Sequence, residues 1–147
     1  MNNKLLVAKD EIILRQLKKE ISEIPDLSLI NVFDCNDVKD FNDKVKEIIK
    51  IDFPISFTQE FGLIFFDYIK CGYDNLGVDL THIKWLIPYF KNTKWWFEIE
   101  GVCSKQFFEQ YFQNIKTSDF MFFDLQNNFL MDIENAETTL EYRIMRY

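Results

Sequence analysis

The chain has 147 residues, 48% of them hydrophobic and 17% aromatic, with sixteen Phe and a formal charge of −7 at pH 7. That apolar content excludes a disordered chain, and a pI near 4.7 with no basic stripe excludes a phosphate-gripping nucleic-acid reader. The length suits one domain spanning 1–147 with a core of its own, needing neither disulfides nor a metal.

The N-terminus offers only four apolar residues in a row, at 5–8, before charge returns, too few for a signal-peptide core. No apolar run approaches the roughly 18 residues of a membrane span, so a cytoplasmic protein with no membrane partner is expected. Residues 5–8 read as a short strand. Asp10 then caps a helix whose positions Ile13, Leu14, Leu17, Ile21 and Ile24 keep helical spacing up to the stop at Pro25. Residues 28–33 read as a second strand, and Asn36 or Asp37 opens a helix with Val38, Phe41, Val45, Ile48 and Ile49 on one face. The expected order of this half is β-α-β-α.

Ser56 and Gln59 form a capping box ahead of Phe57, Phe61, Ile64, Phe65, Tyr68 and Ile69, which predicts a helix ending at Cys71-Gly72. Asp79 reads as the cap of a further helix carrying Leu80, Ile83, Leu86 and Ile87, closed by Pro88. From Lys94 the period changes. Residues 94–100 alternate, a short helix follows Ser104, and 120–125 pairs with 129–134 across an Asn127-Asn128 turn before 138–145 alternates again. The expected fold is α+β: one domain with a mixed sheet, whose C-terminal half is an antiparallel meander packed by helices.

Charge is segregated along the chain. Between Phe97 and Tyr142 nine acids face two bases, Lys105 and Lys116, whereas residues 1–96 are nearly balanced. Period-two reading of the meander puts Trp95, Phe97, Ile99, Met121, Phe123, Leu125, Phe129, Met131, Ile133, Leu140, Tyr142 and Ile144 on a core face. The other face interleaves acids with large apolar groups. Trp96, Glu98, Glu100, Phe122, Asp124, Leu130, Asp132, Glu134 and Glu141 on it form the expected partner-binding surface, with aromatic anchors and steering charge. The competing reading places Phe120 and Phe122 beneath the inserted helix and leaves the acids as solvated charge.

No P-loop, GxGxxG, GxSxG, HExxH or EF-hand pattern is present, so neither a catalytic set nor a cofactor is expected. His82 is the sole histidine and reads as a surface or cap residue. Cys35, Cys71 and Cys103 lack a CxxC pair, which speaks against a structural zinc and for small buried hydrophobes. Asp34, Asp37, Asp40 and Asp43 recur every third residue at a helix start, where acids meet the macrodipole.

Two resemblances add expectations. Residues 5–19, with Asp10 and Glu11 after an apolar run, resemble the opening of a response-regulator receiver domain; that would imply a magnesium site there and Asp52 as phosphoryl acceptor, although Lys9 intrudes. The acidic, aromatic-bearing segment 95–143 is similar in character to bacterial toxin-immunity proteins of the contact-dependent growth inhibition kind, which share no single fold. That resemblance implies a non-enzymatic antitoxin that neutralises a basic nuclease toxin. A nuclease needs a basic groove, so its inhibitor must offer negative charge and steered association. Reversing Glu98 and Asp132 would then slow binding. A nucleic-acid mimic, an assembly subunit and a hydrolase using Asp124 and Asp132 on a divalent ion are the alternatives.

Overall fold

The computed structural model describes residues 3–51, 55–58, 65–90, 93–103, 120–136 and 139–147, with backbone alone at 3–7, 55–58, 65–68, 135–136 and 139–141. Its elements run α1 (Asn3–Ser22), β1 (Leu27–Asp34), a 3-10 turn (Cys35–Asp37), α2 (Lys39–Ile48), β2 (Ile55–Thr58) and α3 (Phe65–Leu76). Strands β3 (His82–Ile87), β4 (Trp95–Val102), β5 (Phe120–Asp124), β6 (Phe129–Ala136) and β7 (Thr139–Arg146) complete it. The strands form one seven-stranded sheet in the order β1-β4-β3-β5-β6-β7-β2.

Every described pairing in that sheet is antiparallel. The expected α+β class holds, and the antiparallel meander holds for β5-β6-β7; β4, expected as its first strand, lies instead between β1 and β3, separated from β5 by β3. The mixed sheet does not hold, because no strand pair runs parallel among the described residues. Nor does the β-α-β-α opening: residues 5–8 are the first turns of α1, which begins at Asn3 rather than after Asp10. A four-residue apolar run preceding a helical pattern extends that pattern, and the receiver-domain likeness loses its first strand with it.

The helices cover both faces of the sheet. On one, Leu17 and Ile21 of α1 and Ile69 and Tyr73 of α3 pack with Trp85, Phe97, Ile99, Phe122, Met131 and Ile133 in the larger core. On the other, Val38 and Ile48 bracket α2, whose Phe41 and Val45 pack with Leu86, Trp96, Phe123 and Leu130. Ile49, predicted for the same stripe, is exposed one residue beyond α2.

Two further helix expectations are revised by turn chemistry. The predicted stop at Gly72 lies mid-helix in α3, and the end comes at Gly77 (φ 69°), where Gly77 N–H donates to Asp74 O and Val78 N–H to Tyr73 O. That is a Schellman closure, with the positive φ that glycine adopts without cost. Residues 55–58 belong to β2, so the proposed capping box does not open a helix there. Asp79 does accept from a residue two positions on, Thr81 N–H at 3.0 Å and Thr81 Oγ1–H at 2.6 Å. The same bond that caps a helix also makes an Asx turn, and here the chain leaves it extended as β3. Ile83, Trp85 and Ile87 then serve the larger core and Leu86 the smaller.

Gly101 sits where β4 meets the α1-β1 turn. Its φ is 147°, and a Cβ there would stand 2.0 Å from Asp26 O, so only glycine lets the two backbones approach. The predicted helix after Ser104 lies outside the described residues.

Candidate functional site at the start of α2

The hairpin register decides where the predicted partner-binding residues sit. Phe122 pairs with Met131, Phe123 with Leu130 and Asp124 with Phe129. Directly opposed residues share a face, so Phe120, Phe122 and Asp124 join the larger core and Met121, Phe123 and Leu125 the smaller one. The β5 assignment is therefore inverted relative to the sequence reading. Trp96, Phe122 and Leu130 are fully buried, and Asp124 and Asp132 nearly so. None of these five can contact a partner from within the folded monomer, which corrects the expected docking face. Glu100 and Glu134 are half-buried, and the side chain of Glu141 lies outside the described set.

Asp124 is instead a structural hub. Trp85 Nε1–H donates to Tyr73 Oη at 2.9 Å, and Tyr73 Oη–H donates to Asp124 Oδ2 at 2.5 Å. Asp124 Oδ1 accepts the Gln126 and Asn127 backbone N–H groups at 3.0 and 2.9 Å, and Asn127 Nδ2 reaches Oδ2 at 3.1 Å. One carboxylate thus closes the β5-β6 turn and ties it to α3 and β3. Burial, reinforced by the Asp124 charge, pushes the Tyr73 hydroxyl far above its ordinary range, so it stays a donor.

Asp132 faces the opposite side of the sheet and belongs to a buried ion pair. Arg143 Nε donates to Asp132 Oδ2 at 2.8 Å, Nη2 lies 2.7 Å from the same oxygen, and Nη1 donates to Ile51 O at 2.8 Å. Glu134 Oε1 takes a further bond from Nη2 at 3.2 Å. The guanidinium anchors the chain leaving α2 to β6 and β7. Because Asp124 and Asp132 point to opposite faces, they cannot share a divalent ion, and the hydrolase reading built on that pair falls away.

Glu98 is different. It lies on β4, 8% exposed, at a cleft of about 510 Å³ between the sheet and the first turn of α2. Phe33, Val38, Phe41, Leu86 and Leu125 give that cleft apolar walls; Asp37, Asp40 and Glu98 outnumber Lys39 among its charged groups. Among the described residues the carboxylate has only loose partners: Asn31 Nδ2 at 3.4 Å and Lys84 Nζ at 3.9 Å, a lysine whose side chain is 41% exposed. Those contacts lie beyond the usual 2.7–3.2 Å of an N–H···O bond.

The cleft wall is set by local sequence. Asp34 Oδ1 accepts Asn36 N–H at 3.0 Å, turning β1 into the 3-10 segment, while Lys94 Nζ lies 3.2 Å from Asp34 Oδ2. The Asn36 bond, with help from Lys94, holds the Asp34 carboxyl below its ordinary value. Val38 stands at the N-cap of α2 without a side-chain cap bond, and Asp40 lies in the first helical turn. Of the four predicted helix-start acids, Asp34 thus works as a turn cap, while Asp37 and Asp40 are exposed at the cleft mouth.

Beside the cleft, Tyr89 occupies a positive φ of 49°, hydrogen-bonds Asn42 Oδ1 at 2.8 Å, and meets Trp96 edge-on with ring centroids 5.3 Å apart. The Trp96 Nε1–H beneath it is buried and finds no acceptor within hydrogen-bond distance among the described residues. Sequence reasoning missed this group and the cleft together, since both depend on which face each strand presents.

The three cysteines are free and half-buried rather than fully buried. Burial raises the thiol pKa of Cys35 and lifts that of Cys103 to about 12, leaving neither poised as a nucleophile. His82 is exposed at the start of β3, not on a helix, with Gln126 Nε2 3.5 Å from its Nδ1. Among the described residues no group of three His, Cys, Asp or Glu side chains could hold a metal ion, and no helix is long and apolar enough to cross a membrane. Comparison with known protein families, curated proteins and solved structures finds no match to this chain.

Proposed function

We propose that the protein is a non-enzymatic binding inhibitor of the immunity or antitoxin kind, acting in the cytoplasm on a basic partner, which a nuclease toxin would supply. The observation that carries this reading is the cleft at the start of α2. It combines aromatic and aliphatic walls with an excess of carboxylates, the mixture suited to anchoring and steering a cationic protein surface. The sequence reading placed that mixture on the meander. With Asp124 and Asp132 committed to the fold, the binding role passes to Glu98, Asp37 and Asp40.

The test uses the product of the reading frame beside this gene. Expressed alone it should arrest growth, and co-expression of the full chain should restore growth and yield a complex whose association rate falls steeply with salt. Asp37→Lys with Asp40→Lys, both exposed, should slow association at low salt by about tenfold while leaving the fold intact. A harmless neighbouring product, or a complex indifferent to salt and to this reversal, would defeat the reading.

A further inference from the structure

We propose that the cleft receives an arginine side chain of the partner, whose guanidinium meets Glu98 between apolar walls; this rests on the basic-partner reading above. Glu98 is nearly as withdrawn from water as Asp132, yet Asp132 has an arginine at 2.7 Å and Glu98 has a long amide contact and a distant, solvent-facing lysine. Burying a carboxylate without close donors is unfavourable. This chain avoids that at Asp124 and Asp132 and leaves it open at Glu98, beside a cleft wide enough for an outside group to enter.

The walls select the kind of cation. Phe33 and Phe41 line the cleft with Val38, Leu86 and Leu125. A planar, weakly hydrated guanidinium sheds water more readily against such surfaces than an ammonium, stacks on rings, and can donate two parallel bonds to one carboxylate. The positive end of α2 would repel a cation, but Asp37 and Asp40 stand at that end and offset it. Lys84 is then an internal placeholder: it weakly neutralises Glu98 in the free protein and swings into solvent when the guanidinium arrives. That role makes an unusual demand, that removing a positive charge near the site should strengthen binding of a cation beyond what general electrostatics gives at a distance.

The experiment is an amide-shift NMR titration of the full chain at low salt with three blocked amino acids: N-acetyl-arginine amide, N-acetyl-lysine amide and N-acetyl-norleucine amide. The arginine probe should give saturable shifts centred on Leu86, Glu98 and the start of α2, binding at least about threefold tighter than the lysine probe, with norleucine producing none there. Glu98→Gln should weaken the arginine probe by about tenfold. Lys84→Met should tighten it by about twofold or more, whereas Lys18→Met on α1 should not. Equal binding of norleucine, shifts centred elsewhere, or a Glu98→Gln protein that binds unchanged would overturn the proposal. Should Glu98→Gln disturb the spectrum broadly, Lys84→Met decides alone, since it leaves the carboxylate in place: no tightening sinks the idea. Arginine binding in the cleft with no toxin to neutralise would remove the inhibitor reading and keep the site. Neutralisation that survives Glu98→Gln at full affinity would do the reverse.

Discussion

The two faces of the sheet differ in how completely they satisfy the carboxylates they bury. On the α1-α3 side, Asp124 is saturated by Tyr73 and by the turn it closes. On the α2 side, Asp132 is saturated by Arg143, but Glu98, on β4 two strands from β5 toward the β1 edge, is met among the described residues only at 3.4 and 3.9 Å. The difference separates acids that hold the fold from an acid that the fold leaves available. A linear count of charge treats all of them alike.

The sharpest way to break that division is at the buried ion pair. Arg143→Met should cost about 3–5 kcal/mol in urea unfolding, because Asp132 is left charged and buried. Adding Asp132→Leu should recover most of that loss, and a double variant as unstable as the single would show that the anchoring bond to Ile51 O matters more than charge. Next in size is Tyr73→Phe. It removes the acceptor of Trp85 Nε1 and a donor to Asp124, and should cost about 1–3 kcal/mol by the same measurement.

Alkaline pH probes the larger core without mutation. The Cys103 thiol has an ordinary value of 9.0 and a native value of about 12, so below pH 9 it is neutral in both states and its contribution is intact. Above 9 the unfolded chain releases this proton and the folded one does not, so stability falls by at most about 1.4 kcal/mol per pH unit until near 12. Tyr73 shifts in the same direction and adds to the loss above its ordinary value of 10.0. Cys103→Ala should flatten the decline between pH 9 and 10. At the acid end the sign reverses: the lowered Asp34 pKa stabilises the fold above about 4, and this is lost as pH falls through the native value.

Much of the fold could be read from residue order, and the failures have physical causes. The helical stripe from Ile13 to Ile21, the β4 alternation and the hairpin around Asn127-Asn128 rest on local periodicity and turn residues, which survive into the structure, while Ile24 is buried just beyond the end of α1. The Asp79 error arose because a helix cap and an Asx turn use one hydrogen bond, and only the later run Ile83-Lys84-Trp85-Leu86-Ile87, rich in strand formers and buried on both faces, distinguishes them. The inverted β5 face was avoidable. A hairpin loop with an even number of residues opposes even with odd positions, so any such loop around 127–128 puts Phe122, not Phe123, on the face of Met131. With that parity applied, Phe122 and Asp124 leave the supposed docking face at once. The cleft was not legible, because it needs α2 placed over β1, β4, β3 and β5, a long-range arrangement that no local period encodes.

The most direct measurement compares urea unfolding of Asp124→Asn and Glu98→Gln under one set of conditions. Both changes remove a formal charge from a side chain with little exposure. If Asp124 holds the fold and Glu98 awaits a partner, Asp124→Asn should lose about 2 kcal/mol or more and Glu98→Gln less than about 1. Equal losses, or a larger one at Glu98, would contradict the division on which the binding site rests.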